Sequence, residues 1–171
     1  MLFRSNYQTR LALRDEAAMN RALGRPADQR LDSTLSRIKS VAEPLLKYLL
    51  FIEETPLTAR IEGTSRFTEE FAKKGPCDRQ GRSLRAFDLE RRLFRYPLSY
   101  QVYSEAFDGL PELARDYILR RLWQVLSGED QSGKFAQLQA ADRQAIIEIL
   151  RDTKPDLPEY WKRPQSDVVA P

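Results

Sequence analysis

Pro111-Glu-Leu-Ala-Arg-Asp-Tyr-Ile-Leu-Arg-Arg-Leu-Trp-Gln-Val-Leu-Ser-Gly128 decides the fold class. Its apolar side chains (Leu113, Tyr117, Ile118, Leu119, Leu122, Trp123, Val125 and Leu126) return every three or four residues, the spacing of one helix face. Pro111 suits a first helical turn, where no backbone N–H is needed, and Gly128 suits a helix stop. This is the best amphipathic helix in the chain. Nothing elsewhere alternates apolar and polar long enough to suggest a competing strand.

Working outward, Ala140–Arg151 carries Ile146, Ile147, Ile149 and Leu150 and reads as a firm helix, with a shorter one expected over Ser132–Leu138. Upstream, the spacing predicts a helix from Leu84 to Arg95, with Leu84, Phe87, Leu89 and Phe94 inward. Pro97 breaks it, and a short helix follows over Leu98–Phe107. Ser65–Lys74 reads as a short helix stopped by Gly75-Pro76. From an N-cap at Ser33, Leu35, Ile38, Val41, Ala42, Leu45, Leu46 and Leu49 form a stripe that stays in phase across Pro44. Residues 2–23 show Phe3, Tyr7, Leu11, Ala18 and Ala22 at about one per turn, ending at Gly24 and Pro26. The expectation is one irregular all-α domain over 1–154, with six to eight helices of unequal length, and a proline-rich tail over 155–171.

Composition removes several function classes. The chain has 171 residues, no histidine and one cysteine. Without imidazole there is no Ser-His or Cys-His pair, and Cys77 alone cannot build a Cys/His zinc site. The dipeptides Glu53-Glu54 and Glu69-Glu70 diverge by about 100° on a helix, so neither aims two carboxylates at one substrate. Glu129-Asp130 falls in a loop. No complete catalytic set is present, and the expectation is a non-enzyme without catalytic, cofactor-binding or metal-binding residues.

Two segments could bind a partner. Between Pro76 and Arg95 stand six arginines and three acids, an excess equal to the whole chain's net charge of +3. Arg82 and Arg85 flank the expected helix start near Leu84, and Gly81 lets the backbone come close to a bound group. With Arg79 they suggest an anion site, weighed against simple salt bridges to Asp78, Asp88, Glu90 and Asp108. Next to it, Arg95, Tyr96 and Tyr100 interleave charge and aromatic surface, as single-strand nucleic-acid grooves do, although core packing explains such tyrosines as well. Nucleic acid is the lesser expectation, because general binders spread basic residues over a face.

No signal peptide is expected, because Arg4, Asn6, Gln8 and Arg10 interrupt residues 1–20. Nor is a membrane span, because the longest apolar region, Leu45–Ile52, contains Lys47 and falls short of the roughly 18 residues required.

The stretches Tyr7-Gln-Thr-Arg-Leu-Ala-Leu13, Glu62-Gly-Thr-Ser-Arg-Phe67, Gly75-Pro-Cys-Asp-Arg-Gln-Gly-Arg-Ser-Leu84, Leu93-Phe-Arg-Tyr-Pro-Leu-Ser-Tyr100 and Ile149-Leu-Arg-Asp-Thr-Lys-Pro155 together resemble the C-terminal region of long, exported bacterial proteins. Some of these carry a c-type cytochrome-like haem segment upstream. The resemblance implies an exported, periplasmic setting and a parent able to hold haem, while this chain lacks the Cys-x-x-Cys-His needed to attach it. It transfers no site residue. The resulting expectation is a non-catalytic structural or interaction module whose partner is the upstream part of the same protein or another protein. It would dock through the exposed face of helix 2–23. A chain complete as written would instead be cytoplasmic, and an anion- or nucleic-acid-binding module is the alternative.

Overall fold

The computed structural model describes residues 1–162. In chain order its elements are α1 (Leu2–Ala22), α2 (Asp32–Leu49), α3 (Phe67–Lys73), a 3-10 turn at Tyr100–Tyr103, α4 (Glu105–Asp108), α5 (Glu112–Ser127), α6 (Ala140–Thr153) and a 3-10 turn at Glu159–Trp161. Among the described residues there is no strand, only an isolated bridge between Phe87 and Phe94. The protein is all-α, with helices of unequal length. None of them is long and apolar enough to cross a membrane.

The described residues group into two units: Met1–Tyr48 with Gln101–Arg121, and Leu49–Tyr100 with the chain from Leu122 onward. The first unit is built from α1, most of α2, α4 and the start of α5. Ile38, Ala42, Leu45 and Leu46 of α2 are buried, as are Phe107, Ala114 and Ile118. The apolar stripe of α2 therefore does face inward, and the helix runs on through Pro44. Tyr117 and Arg121 both bond the Glu43 carboxylate, at 2.6 and 2.8 Å. That contact ties α5 to α2.

The core of the second unit takes Leu84, Leu98, Leu122, Leu126, Ile146, Ile147 and Trp161. Trp161 is fully buried, its ring 5.3 Å from that of Trp123 and edge-on to it. Both indoles thus anchor the start of the proline-rich segment, as a large apolar side chain gains most from burial. Of the expected tail 155–171, residues 163–171 lie outside the described residues.

Three expected helices are corrected. Residues 84–95 are not helical, although their apolar spacing fits a helix. Asp88 accepts backbone N–H groups of Glu90 and Arg91 at 3.0 and 2.8 Å, and Leu89 takes a left-handed φ of 62°. The chain then doubles back, with Asp88 N–H on the Leu93 carbonyl and Arg95 N–H on that of Ala86. Phe87 and Phe94 stack across this hairpin at 5.1 Å. An aspartate able to bond its own backbone, together with a cross-strand aromatic pair, outweighs helical periodicity. Over Ser132–Leu138, Asp130 holds the Ser132 N–H and hydroxyl at 2.9 and 2.5 Å, and turns replace the helix. In place of a helix over Leu98–Phe107 stand the turn at Tyr100–Tyr103 and the four-residue α4. There Ser104 accepts the Phe107 N–H at 3.2 Å and caps α4 afresh.

Candidate functional site

Two surfaces bear on function, one in each unit. In the first unit, α1 presents its residues in an unusual order. Its buried face is Ser5, Thr9, Ala12, Glu16 and Asn20. Each of these is small or polar, and Ser5, Glu16 and Asn20 are held by hydrogen bonds. Ser5 donates to the Val41 carbonyl at 3.1 Å, and the Asn20 amide donates to that of Gln29 at 2.8 Å. Glu16 accepts from Arg30 at 2.6 Å, from the Leu31 N–H at 2.8 Å and from the Thr34 hydroxyl. Burial alone would raise the Glu16 carboxyl, yet these donors together hold it below the usual carboxylate range.

The opposite face of α1 carries the apolar stripe read from the sequence. Phe3 is 81% exposed and Tyr7 64% exposed, Ala18 and Ala22 are exposed, and Leu11 is half-buried. Arg4, Arg10 and Arg21 lie on this side and form no ion pair among the described residues. Arg10 bonds only the Asn6 side chain and the Gly109 carbonyl. The helix is inside out: its polar strip does the packing and its aromatic strip meets solvent.

The signal for this reversal is visible in retrospect. Ser5, Thr9, Ala12, Glu16 and Asn20 also recur once per turn, and small side chains allow a neighbouring helix to come close. Periodicity of apolar residues alone pointed to the wrong strip for the core.

In the second unit, the loop after α3 holds the arginines singled out above. Asp78 accepts the N–H groups of Gln80 and Arg82 at 2.9 and 2.7 Å, and the Arg82 guanidinium at 2.6 Å. Gly81 takes a φ of 75° to close this turn, a conformation that costs other residues roughly 1 kcal/mol. Arg82 also reaches Glu148 of α6 at 2.7 Å. Burial pushes the Asp78 carboxyl up, but the two N–H donors and the guanidinium outweigh it and hold it low. Arg79 grips Asp152 of α6 through its backbone N–H and its guanidinium, the closest contact being 2.6 Å. That guanidinium, more than any other cause, brings the Asp152 carboxyl down to about 2.

Farther along, Arg92 pairs with Asp142 at 2.8 Å and Arg91 with Asp88 at 3.5 Å. Arg85 has a different partner. Its guanidinium lies 4.4 Å from the Tyr100 ring centre and 4.8 Å from that of Phe71, inside a cluster that also holds Phe87 and Phe94. Gly75 makes room for it, because a Cβ there would stand 2.6 Å from Arg85 Cδ. Arg95 is exposed, 5.8 Å from the ring of the buried Tyr96. The structure thus brings Arg85 to Tyr100, Arg95 to Tyr96, and Arg79 and Arg82 to acids of α6. It does not build the helix N-terminus expected near Leu84, so no row of free backbone N–H groups accompanies these side chains.

A cleft of about 510 Å³ in the same unit is lined by Ile61, Phe67, Phe87, Leu89 and Leu93 together with Arg60 and Glu62. Among the described residues, no group of three or more acidic or cysteine side chains is placed to hold a metal ion. Chemically, then, the loop is a set of internal ion pairs and stacked rings. On the α1 face, Phe3, Tyr7, Arg4 and Arg21 find no ion-pair or ring partner among the described residues.

No protein-family model, no curated protein and no solved structure matches this chain.

Proposed function

We propose that this protein is a non-catalytic interaction module that docks a protein partner through the outward face of α1. One observation carries the reading: a helix of 21 residues spends its polar strip on the core and leaves Phe3 and Tyr7 in water. Large aromatic side chains and arginine are the residues enriched where protein surfaces meet, and lysine is depleted there. The α1 face has Phe, Tyr and Arg and no Lys. The sequence resemblance supports placing the module at the C-terminal end of a larger exported bacterial protein.

The test is a photo-crosslinking residue placed at position 3, 7 or, as a control, at the exposed Lys74, in the cells that make the protein. A discrete adduct from positions 3 and 7 and none from 74 is the expected result. No adduct, or the same adducts from every position, would end this reading.

The second reading, an anion-binding loop, is supported by Arg85 and Arg95, whose guanidinium groups lie against rings rather than carboxylates. It requires oligonucleotide binding that weakens steeply with salt and falls in the Arg85→Ala, Arg95→Ala double variant. Its failure leaves the docking reading untouched.

A further inference from the structure

The two units differ in how their charge is balanced. All of the chain's net charge of +3 belongs to the first, which has twelve Lys and Arg against nine Asp and Glu, while the second has sixteen of each. Much of that excess lies on the outward side of α1. At about 100° per residue, an arc of roughly 120° centred on Tyr7 takes in Arg4, Arg10, Arg14 and Arg21 and not one acid. Arg14 has Asp15 at 3.1 Å, but the Arg4 and Arg21 guanidinium groups meet no acceptor among the described residues. Arg4 also stands in the first turn of α1, where the helix dipole opposes a cation and no acid offsets it.

From this uncompensated charge we infer that the partner of the face is an acidic amphipathic helix of another protein. Its apolar side chains would cover Tyr7 and Leu11, and its carboxylates would reach Arg4 and Arg21. The inference rests on the docking reading above and states the chemistry of the partner. Arg4 and Arg21 stand about 26 Å apart along the helix axis. Between and beside them, Tyr7 with Leu11 and Ala18 with Ala22 keep the four-residue spacing of a helix-packing ridge. The two alanines let a neighbouring helix come within about 8 to 10 Å. At each end a guanidinium fork can donate two parallel hydrogen bonds to one carboxylate.

Charge and shape together separate such a helix from other anionic surfaces. Asp15 stands at the edge of the arc, partway along α1, bonded to Arg14 and Arg37 at 3.1 and 3.0 Å. A continuous polyanion laid along the helix (a nucleic-acid backbone or a layer of lipid headgroups) would run phosphates past that carboxylate. Discrete acids at the two ends avoid it. A helix lying in a membrane interface also needs a broad apolar face with its charges on the opposite side. Here Arg14 falls between Phe3 and Tyr7 around the arc, and Leu11 is the one further large apolar residue within it.

Fluorescence anisotropy of the full chain with a labelled helical peptide of about 20 residues reads this directly. The peptide has a leucine seam and glutamates in its first and last turns, and its control has glutamine for each glutamate. The expected dissociation constant is about 10 to 100 µM at low salt, weakening several-fold in about 0.5 M salt. The control should bind about tenfold more weakly. Arg4→Gln with Arg21→Gln costs about tenfold against the acidic peptide, and Tyr7→Ala about the same. Arg4→Glu with Arg21→Glu, against a peptide with lysine for glutamate, restores binding to within about threefold of the parent pair. All three positions face water, so the variants should unfold at the parent temperature.

Equal binding of the acidic and neutral peptides overturns the inference, as does indifference to the arginine or Tyr7 substitutions, or no binding at about 1 mM. So does tighter binding, lost with Arg4→Gln and Arg21→Gln, to a single-stranded oligonucleotide or to vesicles of equal phosphatidylglycerol and phosphatidylcholine. Self-association of the purified chain that Tyr7→Ala abolishes overturns it too. A crosslink from position 7 to a protein segment without acidic residues sinks this inference and keeps the docking reading. No crosslink at all sinks both.

Discussion

Arginine is used in opposite ways in two regions of this molecule. Between residues 79 and 95, Arg79, Arg82, Arg91 and Arg92 close on Asp152, Asp78 and Glu148, Asp88 and Asp142, and Arg85 lies against the rings of Phe71 and Tyr100. Along α1, Arg4, Arg10 and Arg21 meet no carboxylate among the described residues, and Phe3 and Tyr7 are exposed. The same residue types serve construction in one place and remain unspent in the other. A cluster of charge in a sequence is therefore a poor guide to a binding surface until its counter-charges are located. The informative surface is the one where the described residues offer no counter-charge.

The comparison can be broken most sharply at Arg82. Removing it as Arg82→Ala leaves the Asp78 carboxylate buried, with its side chain fully shielded and its guanidinium gone. A loss of about 3 kcal/mol is expected in urea unfolding, because a buried carboxylate left with backbone N–H donors and no counter-charge costs far more than a surface pair contributes. If Arg82→Ala unfolds like the parent, the loop arginines are not structural and the contrast with α1 collapses.

Glu16→Ala should come next, at about 2–3 kcal/mol. It strips the acceptor from Arg30, the Leu31 N–H and Thr34 at the buried face of α1. Paired with Tyr7→Ser, expected within about 0.5 kcal/mol of the parent, it sharpens the claim that α1 packs by its polar strip. Equal effects from the two substitutions would reverse the assignment of faces.

Gly75→Ala should cost about 1–2 kcal/mol by pushing Arg85 off its rings, and the cost should shrink when Arg85 is itself alanine. The smallest effect is on acid stability. Asp152 titrates at about 2 in the folded protein against an ordinary 3.8, so its contribution is complete above that ordinary value and disappears as pH falls toward 2. Asp78, Glu148 and Glu16 are shifted the same way. Asp152→Asn should flatten the acid limb of a stability–pH curve by lowering the neutral plateau slightly toward the acid value. An unchanged acid limb would mean that Arg79 does not hold this carboxylate in solution.

Much of the architecture was legible in the residues. α1, α2, α5 and α6 appear where apolar or small residues recur once per turn over several turns, long enough for the helical period to be distinguished from chance. The hairpin at 86–95 was not legible, since Leu84, Phe87, Leu89 and Phe94 satisfy a helical period over a short span. The choice fell to Asp88 bonding its own backbone and to two rings meeting across the turn. The candidate surface was half legible. Phe3, Tyr7, Leu11, Ala18 and Ala22 could be named in advance as one stripe on a helix, but not that this stripe is the outward one. That Ser5, Thr9 and Glu16 form the buried strip could not.

By itself, then, the amino-acid order determined the four long helices and the absence of imidazole chemistry, because local hydrogen bonding and composition need no knowledge of neighbours. Only the tertiary structure decided which strip of α1 faces the core and which arginines are neutralised. Both depend on partners far away in sequence: Glu16 on a loop 15 residues on, Arg79 on Asp152 across 73 residues. A charge or a ring has no fixed meaning until the fold brings its counterpart within a few ångströms, or leaves it without one.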